Sequence, residues 1–179
     1  QSKKHYVNSG FNEGRPKDNF DEWSYMASNT DLIIAFGGNV TTGVQHFVQA
    51  GFAEGRQKDS FDEFSYMASN TDLITAFNKD TYEGVKHFVN FGFSEGRTKD
   101  NFDEWHYFAS NTDLIDIYGS NVILGANHYV NFGFSEGRSL DTFQALNYLN
   151  KYSDLSDAFG TNTDLAKIHF VQNGYSEGR

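Results

Sequence analysis

The chain has no cysteine. Disulfides, thiolate metal sites and cysteine nucleophiles are therefore excluded, while the compartment is left open. It has a single proline, so collagen-like and proline-rich disordered readings fail. No apolar run approaches the roughly 18–20 residues of a membrane span. Basic residues are scarce, with 14 Lys and Arg against 24 Asp and Glu and a net charge of −10. That balance argues against nucleic acid and against an anionic membrane surface, both of which need clustered cations. Gln1-Ser2-Lys3-Lys4 does not read as the start of a signal peptide. The nucleophile elbow, phosphate loop, dinucleotide fingerprint and His-Glu-Xaa-Xaa-His zinc motif are all missing, so no enzyme is expected.

What the chain does have is aromatic residues, at 17%, and a period. His5, His46, His87, His128 and His169 stand 41 residues apart. Glu-Gly-Arg triplets keep the same spacing: Glu13 and Arg15, Glu54 and Arg56, Glu95 and Arg97, Glu136 and Arg138, Glu177 and Arg179. A partial repeat at 1–15 is followed by units at 16–56, 57–97, 98–138 and a divergent 139–179, which together form one array. A gapless period of this length marks a repeat architecture in which each unit packs mainly on its neighbours.

Each unit reads as three short helices. Asn19, Ser60, Asn101 and Thr142 are N-cap candidates for the first, and Glu22, Glu63 and Glu104 three positions later suggest a capping box. The run Ser28-Asn29-Thr30-Asp31 interrupts the pattern and opens a second helix, stopped by Gly37, Asn78, Gly119 and Gly160. Asn39, Asp80, Asn121 and Asn162 cap the third. It is expected to end in a left-handed glycine at Gly10, Gly51, Gly92, Gly133 and Gly174. The following aromatic residue would then pack back, as in the pairs Tyr6–Phe11 and Phe47–Phe52. The fold class is all-α, a solenoid-like stack of 41-residue three-helix repeats.

For each conspicuous residue a structural reading competes with a functional one. Equivalent histidines on successive helices should lie at least about 8–10 Å apart, too far to share a metal ion. They are read as scaffold residues bonded to a neighbouring loop, with metal binding or pH sensing as the alternative. His106 is off the period and is expected to be exposed. The Glu-Gly-Arg triplet is read as a turn whose arginine clamps adjacent units, the partner being Asp18, Asp59, Asp100 or Asp141. The acidic cluster Asp18, Asn19, Asp21 and Glu22 offers oxygen ligands for weak surface Ca²⁺, but helix capping also explains it, and no cofactor is expected. Trp23, Phe64 and Trp105 share one register. Core packing is their economical use, and a sugar-stacking, ligand-facing role is the alternative.

The repeated Tyr-Met-Ala-Ser-Asn-Thr-Asp-Leu-Ile-Xaa-Ala-Phe, followed by His-Phe-Val-Xaa-Xaa-Gly-Phe-Xaa-Glu-Gly-Arg, resembles repeats of long secreted bacterial proteins of the hemolysin-type calcium-binding or surface-layer-like kind. The glycine-rich calcium nonapeptides that accompany such repeats are not present here. The resemblance implies a non-catalytic role outside the cell or on its surface, as a filament, surface layer or adhesin stalk. The flush end at Arg179 shows no added polar cap, and the array opens on a lone third helix. Head-to-tail self-association is therefore expected. A glycan- or protein-binding module of a larger secreted protein, with a cell-surface partner, is the alternative.

Overall fold

The computed structural model describes residues 20–179, and among them every regular element is a helix. The first unit gives α1 (Glu22–Ser28), α2 (Thr30–Phe36) and α3 (Val40–His46). The second gives α4 (Glu63–Ser69), α5 (Thr71–Ala76) and α6 (Thr81–His87). The third gives α7 (Glu104–Ser110), α8 (Asp113–Tyr118) and α9 (Gly125–His128). The fourth gives α10 (Ala145–Lys151), α11 (Ser153–Phe159) and α12 (Thr163–His169). The expectations for His5, Tyr6, Gly10, Phe11, Glu13, Arg15, Asp18 and Asn19 lie outside the described residues.

The first helix of each unit starts later than the sequence suggests. Asp21, Asp62 and Asp103 are the N-caps, accepting from the amides of Ser24, Ser65 and His106 at 2.8–2.9 Å. Ser60 and Asn101 are not caps. Their amides donate to Ser28 Oγ and Ser69 Oγ of the preceding unit. Thr142 is not one either, because α10 begins after Gln144 without a side-chain cap. Glu22, Glu63 and Glu104 consequently stand at the first helical position, where a carboxylate suits the helix dipole but closes no capping box.

The second helix stops as expected. Gly37, Gly119 and Gly160 have φ near +60°, and in the second unit Asn78 and Lys79 take positive φ instead. The third helix is capped by Asn39, Asp80 and Asn162, whose side chains accept from amides two or three residues on. Asn121 accepts no such bond, and a 3₁₀ turn at Val122–Leu124 opens that segment instead.

The expected left-handed stop at Gly51, Gly92, Gly133 and Gly174 is overturned. The third helix runs on through these glycines as a π-helical turn, Phe47–Gly51 and its counterparts Phe88–Gly92, Tyr129–Gly133 and Phe170–Gly174. A Cβ at Gly51, Gly133 or Gly174 would collide with the hydroxyl of Tyr25, Tyr107 or Tyr148. These glycines therefore make room and do not reverse the chain. The reversal comes four residues later, at Gly55, Gly96, Gly137 and Gly178 of the Glu-Gly-Arg triplets, where φ is 69–70°. The aromatic pairs do meet, edge to face at 6.1–6.2 Å, but across the five-residue π spacing.

Two compact units are present, and their limits do not follow the repeats. One comprises the described part of Gln1–Phe61 with Val85–Arg97, the other Asp62–Gly84 with Thr98–Arg179. In the first, α1 packs on α3 and also on the Phe88–Gly92 turn of the following repeat. In the second, α7 packs on α9 and also on α12, α4 packs on α9, and α10 packs on α12. The same rule holds in both: a repeat's first helix touches the third helix of the next repeat. Tyr25, Met26, Tyr66, Met67, Tyr107, Phe108 and Leu149 are fully buried on these first helices.

Candidate functional site

The most organised polar feature is a network whose parts recur from repeat to repeat. It starts on the first helix, where Tyr25, Tyr107 and Tyr148 place their hydroxyls 3.1, 2.8 and 2.9 Å from Nδ1 of His46, His128 and His169. With the hydroxyl as donor to Nδ1, the ring proton is on Nε2. In the first and second repeats Nε2 of His46 and of His87 faces a glutamate, Glu54 at 4.0 Å and Glu95 at 3.9 Å. The glutamate then accepts from the arginine of its own triplet: Arg56, Arg97, Arg138 and Arg179 sit 2.5–2.7 Å from Glu54, Glu95, Glu136 and Glu177. The left-handed glycine between the two makes this short bridge fit.

The arginine completes the circuit, though not with the acid expected. Arg56 reaches Asp31, Arg138 reaches Asp113 and Arg179 reaches Asp154, at 2.7–2.9 Å. These aspartates lie in the first turn of the second helix of the same repeat, so the bond closes a repeat on itself. For Arg56 and Arg138 it does not run to the expected Asp59 or Asp141, and it does not join neighbouring repeats. In the Ser-Asn-Thr-Asp run the aspartate had been read only as part of a cap.

Neighbouring repeats are joined by the residues just before it. Asn29 donates both to Tyr25 O and to Gln57 O, Asn70 to Tyr66 O and Thr98 O, and Asn111 to Tyr107 O and Ser139 O. Each asparagine therefore satisfies the end of its own helix and fixes the linker of the next unit. Ser28, Ser69 and Ser110 accept from an amide of that same linker.

The electrostatics follow from burial and pairing. Burial pushes the hydroxyls of Tyr25, Tyr107 and Tyr148 up, the last to about 12, so none is an acid or nucleophile near neutrality. Burial, with Arg138 close by, lowers His128. Hydrogen bonds from arginine hold Asp31 and Asp154 below the usual carboxylate range. A network of this kind ties the three helices of a repeat together.

The other candidates are placed as follows. Trp23, Phe64 and Trp105 are half-buried, and the last two pack against the core of the compact unit formed by 62–84 and 98–179. His106 is not freely exposed, because its Nε2 lies 3.0 Å from the carbonyl of Phe143. A groove of about 310 Å³ beside it is lined by Asn101, Asp103, His106 and Asp141. Asp103 is already engaged there by the His106 amide and by Lys167. Sequence reasoning missed Lys167, which stands where other repeats have Val44, Val85 and Ala126. Burial works against its charge, yet Asp103 and Asp164 outweigh that and hold it above the ordinary ammonium range. Among the described residues no three His, Asp or Glu side chains converge as a metal set, and no helix is long and apolar enough to cross a membrane.

Comparison of the chain with protein-family models, curated proteins and solved structures found no match.

Proposed function

We propose that this is a non-enzymatic structural repeat protein of the cell exterior. Its repeats stack in solenoid fashion, serve as a stalk or layer element, and join a second copy of the chain through the π-helical turn that follows α3. Two features support the structural reading. The conspicuous polar residues recur in every repeat, where a catalytic set would be unique. They are also tied to one another in ion pairs within each repeat. The half-burial of Trp23, Phe64 and Trp105 favours packing over a glycan-facing role.

One observation carries the self-association. Val89, Val130 and Val171 are 3%, 0% and 3% exposed, each on a third helix that the preceding repeat's first helix covers. Val48, at the same register of the first repeat, is 76% exposed, and so is Phe52. An aliphatic and an aromatic side chain together in water form a surface of the sort that marks an interface. A closed two-fold pairing would cover the same patch on both copies.

Sedimentation and electron microscopy of the whole chain over a range of concentrations, with Ca²⁺ and with a chelator, test this reading. The native chain should gain mass with concentration, and Val48→Asp with Phe52→Asp should hold it at the monomer mass. A native chain that stays monomeric throughout would overturn it.

A further inference from the structure

We infer that the fourth repeat is a built-in stop: the outer face of α10 is made to meet water and does not accept a following repeat. This rests on the repeats stacking as proposed above, and it changes how copies can join.

The evidence is a comparison at fixed register. On the first helices, Ser24 and Ser65 are 2% and 3% exposed, and Ala27, Ala68 and Ala109 are 0%, 3% and 5% exposed. Ala68 shares the lining of one groove with Phe102 and Asp103 of the next repeat, which places its register on the side turned to that repeat. His106, which takes the serine's place in α7, bonds the carbonyl of Phe143 in that next repeat. Ser28, Ser69 and Ser110 bind its linker amide, and Asn29, Asn70 and Asn111 bind its linker carbonyl. At the alanine register only a small side chain stands under the neighbour, and the two linker bonds are made by a serine followed by an asparagine.

In α10 all four positions change together. Asn147 stands in place of serine, Asn150 in place of alanine, Lys151 in place of the second serine and Tyr152 in place of asparagine. Asn147, Asn150 and Lys151 are exposed. A following repeat would cover the Asn150 amide at a register where the other repeats bury alanine, and an amide buried there without a partner is a cost that packing would not offset. It would also find neither linker bond. Tyr152 is turned to its own repeat, edge to face with Tyr148 at 5.4 Å and under the Arg179 guanidinium at 5.1 Å. Leu146 apart, which is 46% exposed, this is the polar outer face that a terminal repeat of a stack requires, written into a helix of ordinary length and place. Head-to-tail packing would need α10 to take the part that α1, α4 and α7 play, and its surface is built against that. Copies joined through Val48 therefore stop at a pair.

The test is made in cis, so that it does not depend on copies associating. A copy of residues 98–138 is appended after Arg179, on the native chain and on a variant carrying Asn147→Ser, Asn150→Ala, Lys151→Ser and Tyr152→Asn. On the native fourth repeat, limited proteolysis should cut the appended unit at the rate of an unfolded segment. On the fourfold variant the cutting rate should fall at least tenfold, and Asn150→Ala alone should give a smaller protection. Circular dichroism of each chain checks that the four native repeats remain folded. Equal protection of the appended unit on both chains, or equal lack of it, would overturn the proposal. Failure of the Val48 and Phe52 substitutions to alter sedimentation would sink the pairing and leave this result standing.

Discussion

The hydroxyl of Tyr107 lies 2.8 Å from Nδ1 of His128, 21 residues further along the chain, and both groups are buried. This bond ties the first helix of a repeat to its third. Replacing Tyr107 by Phe keeps the ring packing against Phe102 and Tyr129 but strands the imidazole acceptor. Leaving one buried polar group unmet costs about 1–3 kcal/mol. Urea unfolding of Tyr107→Phe should show a loss in that range with an unchanged m-value, and a variant as stable as the native chain would refute the assignment.

Gly133 is where that hydroxyl comes to rest. Alanine there would drive its methyl into Tyr107 Oη, with Tyr129 Cδ2 and Tyr107 Cζ at 3.1 and 3.3 Å offering no retreat. Overpacking of this kind costs about 1–3 kcal/mol. The distinctive expectation is coupling: Tyr107→Phe removes the obstructing oxygen, so the double variant should lose less than the two single losses added together. A non-additivity of at least about 0.5 kcal/mol is expected from a double-mutant cycle. Strict additivity would show that the glycine serves another purpose.

The three-helix unit, the stops at Gly37, Gly119 and Gly160, and the caps of α3, α6 and α12 could all be read from sequence, because each depends on residues within one turn. The start of α1 could not. Asp18, Asn19 and Asp21 all have capping side chains, and what selects the aspartate at 62 or 103 is the preceding unit's Ser28 or Ser69 seizing the linker amide. Gly51 was misread because a glycine required for space looks the same in sequence as one required for positive φ. The signals that separate them are a tyrosine at fixed register upstream and an aromatic pair five residues apart, a spacing that suits a π turn. The partner of Arg138 was missed for a related reason: Asp113 sits in a run that helix capping already explained, and nothing local marks it as an arginine's acceptor.

That ion pair is conspicuous but should contribute little. Arg138 Nη1 reaches both oxygens of Asp113 at 2.8 Å, yet the Asp113 side chain is 53% exposed. Solvent screening and the entropy of fixing two side chains limit such a pair to about 1 kcal/mol or less. Asp113→Asn should therefore shift the urea midpoint slightly at low salt and hardly at all at 1 M, where the Debye length is about 3 Å. A salt-insensitive loss of several kcal/mol would mean that the arginine holds the repeat closed by geometry and not by charge.

Asn70 should be the more costly loss. Its amide donates at 2.8 Å to Tyr66 O and at 2.9 Å to Thr98 O. Two bonds at about 0.5–1.5 kcal/mol each disappear in Asn70→Ala. The effect should be local as well as global, because one of the bonds holds the linker that leads into α7. Hydrogen exchange of amides near Thr98 should accelerate more than that of amides in α10, and uniform acceleration would deny the asparagine its linking role.

The buried histidine makes stability depend on pH with a definite sign. Burial, then Arg138, holds His128 below the ordinary imidazole value of 6.5. As pH falls through about 6.5, the unfolded chain takes up a proton that the folded chain refuses. The unfolded state then binds more protons, so stability drops with falling pH until the folded imidazole also titrates. Above about 6.5 the contribution is fully present. One such proton is worth at most about 1.4 kcal/mol per pH unit across that window. Unfolding free energies measured at pH 7.5, 6.5 and 5.5 should therefore fall toward acid, and His128→Gln should flatten the slope whatever it does to absolute stability. If the slope is the same in the variant, the acid sensitivity belongs to other groups and the burial of His128 is not its source.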